Sequence, residues 1–260
     1  MKKAIVLVSF GTSSIEGMKK SIGGLTNELN KKLGDEYVIF NSFTSDRIRN
    51  ILRETNGIVI QSLDEVLNEL SLIGYEEVFI KPLHIFDGNE IRNIKKIIEN
   101  YRDRFRTIHI GSSLLGYTGE KLENICNYIS PILLKGLRGP ILFIGHGSRT
   151  ANHDEYYNLI EVLKQTYNGE IFFGTLEGKE SIDQIIEKLK WSKVKHITIV
   201  PLLIMAGRHL RKDIILGSNS WNNLLKEANI EVSCVNKSLL EYKEIREIIY
   251  EEIKELHFTM

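Results

Sequence analysis

The sequence predicts an α/β fold made of two similar half-domains, each a mostly parallel sheet with helices on both faces. Three observations carry this expectation. Apolar, β-rich runs alternate with amphipathic helical patterns along the chain, the order that gives parallel strands joined by helical crossovers. A hydrophobic content of 42% over 260 residues is enough for one large α/β domain or two packed smaller ones. Segments on the two sides of KGLRGP, residues 135–140, match one another in the same order.

The first run, AIVLVSF at 4–10, follows two lysines and mimics an export signal. It has only the length of a buried strand and lacks a small-residue cleavage site, so it is read as the first strand. Further strands are expected at 37–43, 77–83, 107–111, 141–145, 170–175, 197–204 and 230–235. Residues 60–72 put Ile60, Leu63, Val66, Leu67 and Leu70 on one helical face, and Gly74 supplies a stop. Residues 241–256 repeat the pattern with Ile245, Ile248, Ile249 and Ile253. No stretch approaches the ~20 apolar residues of a membrane span.

The glycines and proline of 135–140 mark the expected boundary, giving half-domains 1–136 and 137–260, with the C-terminal helix packing back on the first half. VFIKPLHIFDGNEIRNI (78–94) lies on ITIVPLLIMAGRHLRKDI (197–214), so that Pro82 matches Pro201, Gly88 matches Gly207 and Glu90 falls opposite His209. SFGTS (9–13) lies on GHGSR (145–149), with Phe10 opposite His146. More weakly, FNSFTS (40–45) lies on FGTLEG (173–178), with Thr44 opposite Glu177. Each match falls at the C-terminal end of a strand, where open α/β sheets bind ligands. The expected site is the cleft between the halves.

Bulk charge narrows the function classes. Lysine plus arginine and aspartate plus glutamate each number 34, so no global field favours nucleic acid or an anionic membrane. The two cysteines, Cys126 and Cys234, stand apart, with no spacing for a zinc ribbon or disulfide framework. A reducing cytoplasm fits. No dinucleotide fingerprint, phosphate loop or Gly-x-Ser-x-Gly elbow is present.

Chemistry-bearing residues gather at the strand ends. His146, Glu177 and His209 form a metal-ligating set, two imidazoles and a carboxylate suited to Fe²⁺, Co²⁺, Ni²⁺ or Zn²⁺ with coordination positions left open. Glu90 faces His209 in the repeat, and is assigned a catalytic role with His146. The glycines flanking His146 are expected to let a bulky substrate approach. Phe10, Gly11, Thr12, Gly145, Gly147, Ser148 and Arg208 are the candidate substrate contacts. Arg149, Arg211 and Lys212 add a basic rim suited to carboxylates. His84 is read as a core histidine, and His109, His153, His196 and His257 are given no role.

At these residues the sequence resembles the anaerobic cobalt chelatases of cobalamin biosynthesis, the class II sirohydrochlorin cobaltochelatases. The resemblance runs over essentially the whole chain: VSFGTS, SFTSDRIRNIL, PLHIFDGNE, the GHG of 145–147, the glutamate of TLEG, and PLLIMAGRH. It implies a chelatase-like fold of two Rossmann-like halves around a tetrapyrrole cleft. It also implies that His146, Glu177 and His209 bind the incoming metal and that Glu90 is the acidic residue of the cleft. Arg208 departs from relatives that carry an acidic residue before the histidine. The implied reaction is insertion of Co²⁺ into sirohydrochlorin, a tetrapyrrole polycarboxylate, in the cytoplasm, with no organic cofactor, nucleic acid or membrane; homo-oligomerisation is compatible. An imidazole titrates near working pH, so His146 is a candidate acceptor of a pyrrole proton. Three other readings stay open. One is a ferrochelatase acting on sirohydrochlorin or a porphyrin, and another a non-catalytic tetrapyrrole or metal carrier. The third, a periplasmic-type binding protein, is opposed by the missing export signal.

Overall fold

The computed structural model describes residues 2–147 and 154–258. The chain divides into two compact units, Met1–Tyr117 with Ile245–Met260, and Thr118–Glu244.

In unit 1, β1 (Lys3–Ser9), β2 (Val38–Phe43), β3 (Glu77–Pro82) and β4 (Thr107–Ile110) form a parallel sheet in the order β2-β1-β3-β4. Helices α1 (Ile15–Lys20), α2 (Ile22–Leu33), α3 (Asp46–Asn56), α4 (Leu63–Leu72) and α5 (Asn89–Glu99) connect and cover it. The lysine-led opening run is the strand β1, and Ala4 to Val8 have no exposed surface. A strand bonded on both edges and covered on both faces has no polar side to show, hence its unbroken apolar sequence. The expected helix at 60–72 begins three residues late, because Ser62 caps it in a capping box with Glu65. Leu63, Val66, Leu67 and Leu70 then bury against Val6, Val8 and Ile80, and Gly74 takes the positive φ that ends the turn.

Unit 2 repeats the topology. Helix α6 (Gly119–Leu134) precedes β5 (Ile141–Gly147), α7 (Asp154–Thr166), β6 (Ile171–Glu177), α8 (Ile182–Trp191), β7 (His196–Leu202), a π-helix (His209–Leu216), α9 (Trp221–Glu227) and β8 (Glu231–Cys234). The sheet order is β6-β5-β7-β8, again parallel. The sequence places α6 in the first half; the structure places it in unit 2, where it packs on α7. The Gly-Pro turn at 135–140 therefore joins two elements of one unit. The last helix, α10 (Lys243–Phe258), joins unit 1 from Ile245 onward, burying Ile245, Ile249 and Ile253.

Strand registers test the internal repeat residue by residue. Val8 pairs with Pro82 and Ile144 with Pro201, which are the partners the alignment of Phe10 with His146 and Pro82 with Pro201 requires. The weaker match slips by one. Ser9 pairs with Phe43 and Gly145 with Thr175, so Ser45, not Thr44, is equivalent to Glu177. A slip of one residue exchanges the faces of a strand, so Thr44 is not the counterpart of Glu177.

Among the described residues, no helix is long and apolar enough to cross a membrane.

Candidate metal centre

His146 is the penultimate residue of β5 and His209 opens the π-helix after β7. These strands are neighbours in the unit 2 sheet, so two histidines 63 positions apart meet at its C-terminal end. Their Nε2 atoms lie 3.3 Å apart, with the rings edge to face at 88° and 4.6 Å between centroids.

The far side of each ring decides what this contact is. The Nδ1 of His146 lies 3.1 Å from the Gly147 carbonyl oxygen, and the Nδ1 of His209 lies 2.7 Å from Asp213 Oδ2. Both partners only accept, so both Nδ1 atoms donate, and each neutral ring presents a bare Nε2 lone pair to the other. Two lone pairs at that distance repel unless a proton or cation joins them. Two metal–imidazole bonds of about 2.1 Å, meeting at 90° to 109°, put the nitrogens about 3.0 to 3.4 Å apart. The donor set and its spacing fit a borderline divalent ion.

Of the three expected ligands the structure brings together two. Glu177 ends β6 and is exposed, with Gly147 as its cross-strand partner. Side chains alternate along a strand, so His146 shares its face with Leu176, and Glu177 belongs to the opposite face. Among the described residues, no group of three or more His, Cys, Asp or Glu that could hold a metal occurs. Sequence reasoning missed Asp213. The signal was the His-x-x-x-Asp spacing in HLRKD, which stacks the two side chains on one face of a helix. The wide turn is a π-helix, whose Gly217 N–H reaches back to the Lys212 carbonyl; short π segments recur at functional sites.

The flanking glycines also have a reason within the protein. A Cβ on Gly145 would stand 2.6 Å from the Tyr156 ring, and one on Gly147 1.8 Å from the Glu177 carbonyl oxygen. Protein atoms thus occupy the space into which a side chain at either glycine would grow. Tyr156 is wholly buried, and its hydroxyl hydrogen-bonds the backbone of His146 and Gly147; burial pushes the phenol pKa up, so it stays neutral. This ring fixes the strand end that carries the histidine.

The remaining candidates belong to several elements of the two units. Glu90 sits in the first turn of α5 in unit 1, half-buried. Phe10 is 50% exposed just past β1. Gly11 takes a φ of 101° against the Phe43 ring, and Thr12 is buried with its hydroxyl accepting from Ser14 N–H. Arg208 is exposed immediately before the π-helix. Ser148, with Arg149 and His153, lies outside the described residues.

The model of the family described as "Cobalt chelatase (CbiK)" matches residues 3–257. The chain belongs to the cobalt chelatase (CbiK) family. It is 28% identical over 235 residues to the sirohydrochlorin cobaltochelatase of Salmonella typhimurium, covering 88% of this chain and 87% of that protein. To the sirohydrochlorin cobaltochelatase CbiKC of Nitratidesulfovibrio vulgaris it is 26% identical over 251 residues, 93% of this chain and 86% of that protein. Among solved structures, SirB from Bacillus subtilis with Fe³⁺ superposes with a TM-score of 0.66 at 13% identity, over 98% of this chain and 95% of that one. CbiX, described as the terminal enzyme for siroheme biosynthesis in denitrifying bacteria, gives 0.59 at 13% identity, over 98% and 99%. These structural likenesses establish the shared fold, and the family match establishes that the chain is a chelatase with a metal ion among its substrates.

Proposed function

We propose that this chelatase inserts Co²⁺ into sirohydrochlorin in the cytoplasm, as a step of anaerobic cobalamin synthesis. The observation that carries the reading is the convergence of two histidine Nε2 atoms 3.3 Å apart at the C-terminal end of the unit 2 sheet in a CbiK-family chain.

Insertion exchanges one Co²⁺ for two pyrrole protons, so the macrocycle's charge is unchanged. His146 and His209 hold the ion through neutral nitrogens, with positions free for water and then for ring nitrogens. As ring nitrogens enter, the imidazoles leave one at a time, and His146, once released, accepts a pyrrole proton. Glu90 takes the other. Glu177, exposed at the adjoining strand end, passes the hydrated ion to the pair. Arg208 and the residues around Phe10–Thr12 and Gly145–Ser148 contact the carboxylate-bearing macrocycle; a guanidinium is suited to its acetate and propionate groups.

The test is anaerobic incubation of the purified protein with sirohydrochlorin and Co²⁺, following the absorbance change of insertion, with Fe²⁺ and Ni²⁺ in parallel. Many turnovers with Co²⁺, lost in His146→Ala, support the reading. Faster turnover with Fe²⁺ than with Co²⁺ would move the assignment to a sirohydrochlorin ferrochelatase. Stoichiometric binding at the uncatalysed rate would make the protein a carrier.

A further inference from the structure

The two imidazoles are not equivalent. The His146 Nδ1–H donates to a neutral peptide carbonyl of the next residue, at 3.1 Å. The His209 Nδ1–H donates to a carboxylate, at 2.7 Å. A charged acceptor makes the shorter and stronger bond. It locks the tautomer and ring orientation, and polarises the imidazole so that its far nitrogen binds a cation more strongly. The π-helix carries both His209 and Asp213, whereas His146 sits on a strand end, where among the described residues its Nδ1 faces the Gly147 carbonyl.

We propose that Asp213 is a positioning residue that makes His209 the retaining ligand of the incoming metal ion and leaves His146 as the ligand that releases first. This rests on the chelatase reading above. A negative charge behind His209 also offsets part of the cost of holding a dication next to the exposed cations Arg208, Arg211 and Lys212. The order of release then follows from the structure: the ring nitrogens displace the weaker imidazole, while His209 keeps the ion seated until transfer is well advanced. Asp213 touches neither metal nor macrocycle in this scheme and acts only through His209.

The experiment is an anaerobic titration of the intact protein with Co²⁺ alone, read from cobalt visible absorption, on wild type, Asp213→Asn, His146→Ala and His209→Ala. Sirohydrochlorin affinity and the melting temperature of the metal-free protein are measured alongside. The expected result is a cobalt affinity at least about tenfold lower in Asp213→Asn, with sirohydrochlorin affinity and melting temperature unchanged, and a larger loss in His209→Ala than in His146→Ala. Asp213→Asn binding cobalt within twofold of wild type, or His146→Ala losing as much as His209→Ala, would overturn the proposal and leave the chelatase reading standing. Wild type that binds no cobalt would overturn both.

Discussion

Lys81 on β3 and Glu252 on α10 form an ion pair buried within unit 1, the lysine 2% and the glutamate 9% exposed at their side chains. Lys81 also donates to the Ser112 carbonyl, and the second Glu252 oxygen accepts from the Ser112 N–H at 2.7 Å. Tyr117 hydrogen-bonds the same carboxylate, and burial raises its phenol pKa. The C-terminal helix is thus tied to the loop after β4.

Removing one partner strands the other charge away from water. Lys81→Met or Glu252→Gln is expected to lower stability by about 3 to 5 kcal/mol, measured by denaturant unfolding. Lys81→Met combined with Glu252→Leu is expected to recover part of that loss, because no bare charge then remains. A single variant within 1 kcal/mol of wild type, on the order of an exposed pair, would show that the pair is solvated.

Gly147→Ala is predicted to damage the site from within. The residue has a φ of 75°, and its new Cβ would meet the Glu177 carbonyl at 1.8 Å. A non-glycine residue in this region costs about 1 to 2 kcal/mol before any clash, and β5 and β6 must also part. Melting temperature and cobalt insertion should fall together. Unchanged activity would show that the strand end is not held as described.

Tyr156→Phe keeps the ring that packs on Gly145 and deletes the hydroxyl that bonds the backbone of His146 and Gly147. The expected loss is about 1 to 2 kcal/mol in stability, with a fall in the rate of cobalt insertion larger than any change in sirohydrochlorin affinity. Equal falls in both would point to general unfolding instead.

His84 gives a pH dependence of known sign. Among the described residues neither ring nitrogen has a hydrogen-bond partner, and burial drives its pKa down to about 4, with Asp87 pulling the other way. Between about pH 6.5 and about pH 4 the unfolded chain binds a proton that the folded chain does not. Stability is therefore full above that window and falls by about 1.4 kcal/mol per pH unit within it. The equivalent residue in unit 2 is Leu203, buried in the core. His84→Leu should raise the melting temperature at pH 7 and flatten the acid slope; equal slopes in variant and wild type would contradict the burial of this imidazole.

The fold was legible where burial leaves a single solution. β1 and β5 are central strands, and their apolar runs have no polar face to blur the pattern. The repeat was legible at β1 and β3 because Pro82 and Pro201 are rigid markers in register. It failed by one residue at β2 and β6, because Phe40 aligns equally well with Phe172 or with Phe173. Of the site, His146 and His209 could be found because His146 stands between two glycines at a strand end and His209 follows the Pro201 and Gly207 landmarks of the repeat. Asp213 was missed because an acidic residue four positions into a helix looks like an ordinary solvated face until the imidazole is seen against it. The glycines were noticed, but the crowding of Gly145 by Tyr156 and of Gly147 by the Glu177 backbone depends on long-range packing that local sequence does not encode.

The central claim is that the paired Nε2 atoms of His146 and His209 hold the incoming ion. X-ray absorption at the cobalt edge, on protein loaded with one equivalent of Co²⁺ and no tetrapyrrole, tests it most directly. The predicted result is two imidazole nitrogens at about 2.1 Å completed by oxygen, falling to one imidazole in either His146→Ala or His209→Ala. A shell of oxygens alone, or a spectrum unchanged by both substitutions, would contradict it.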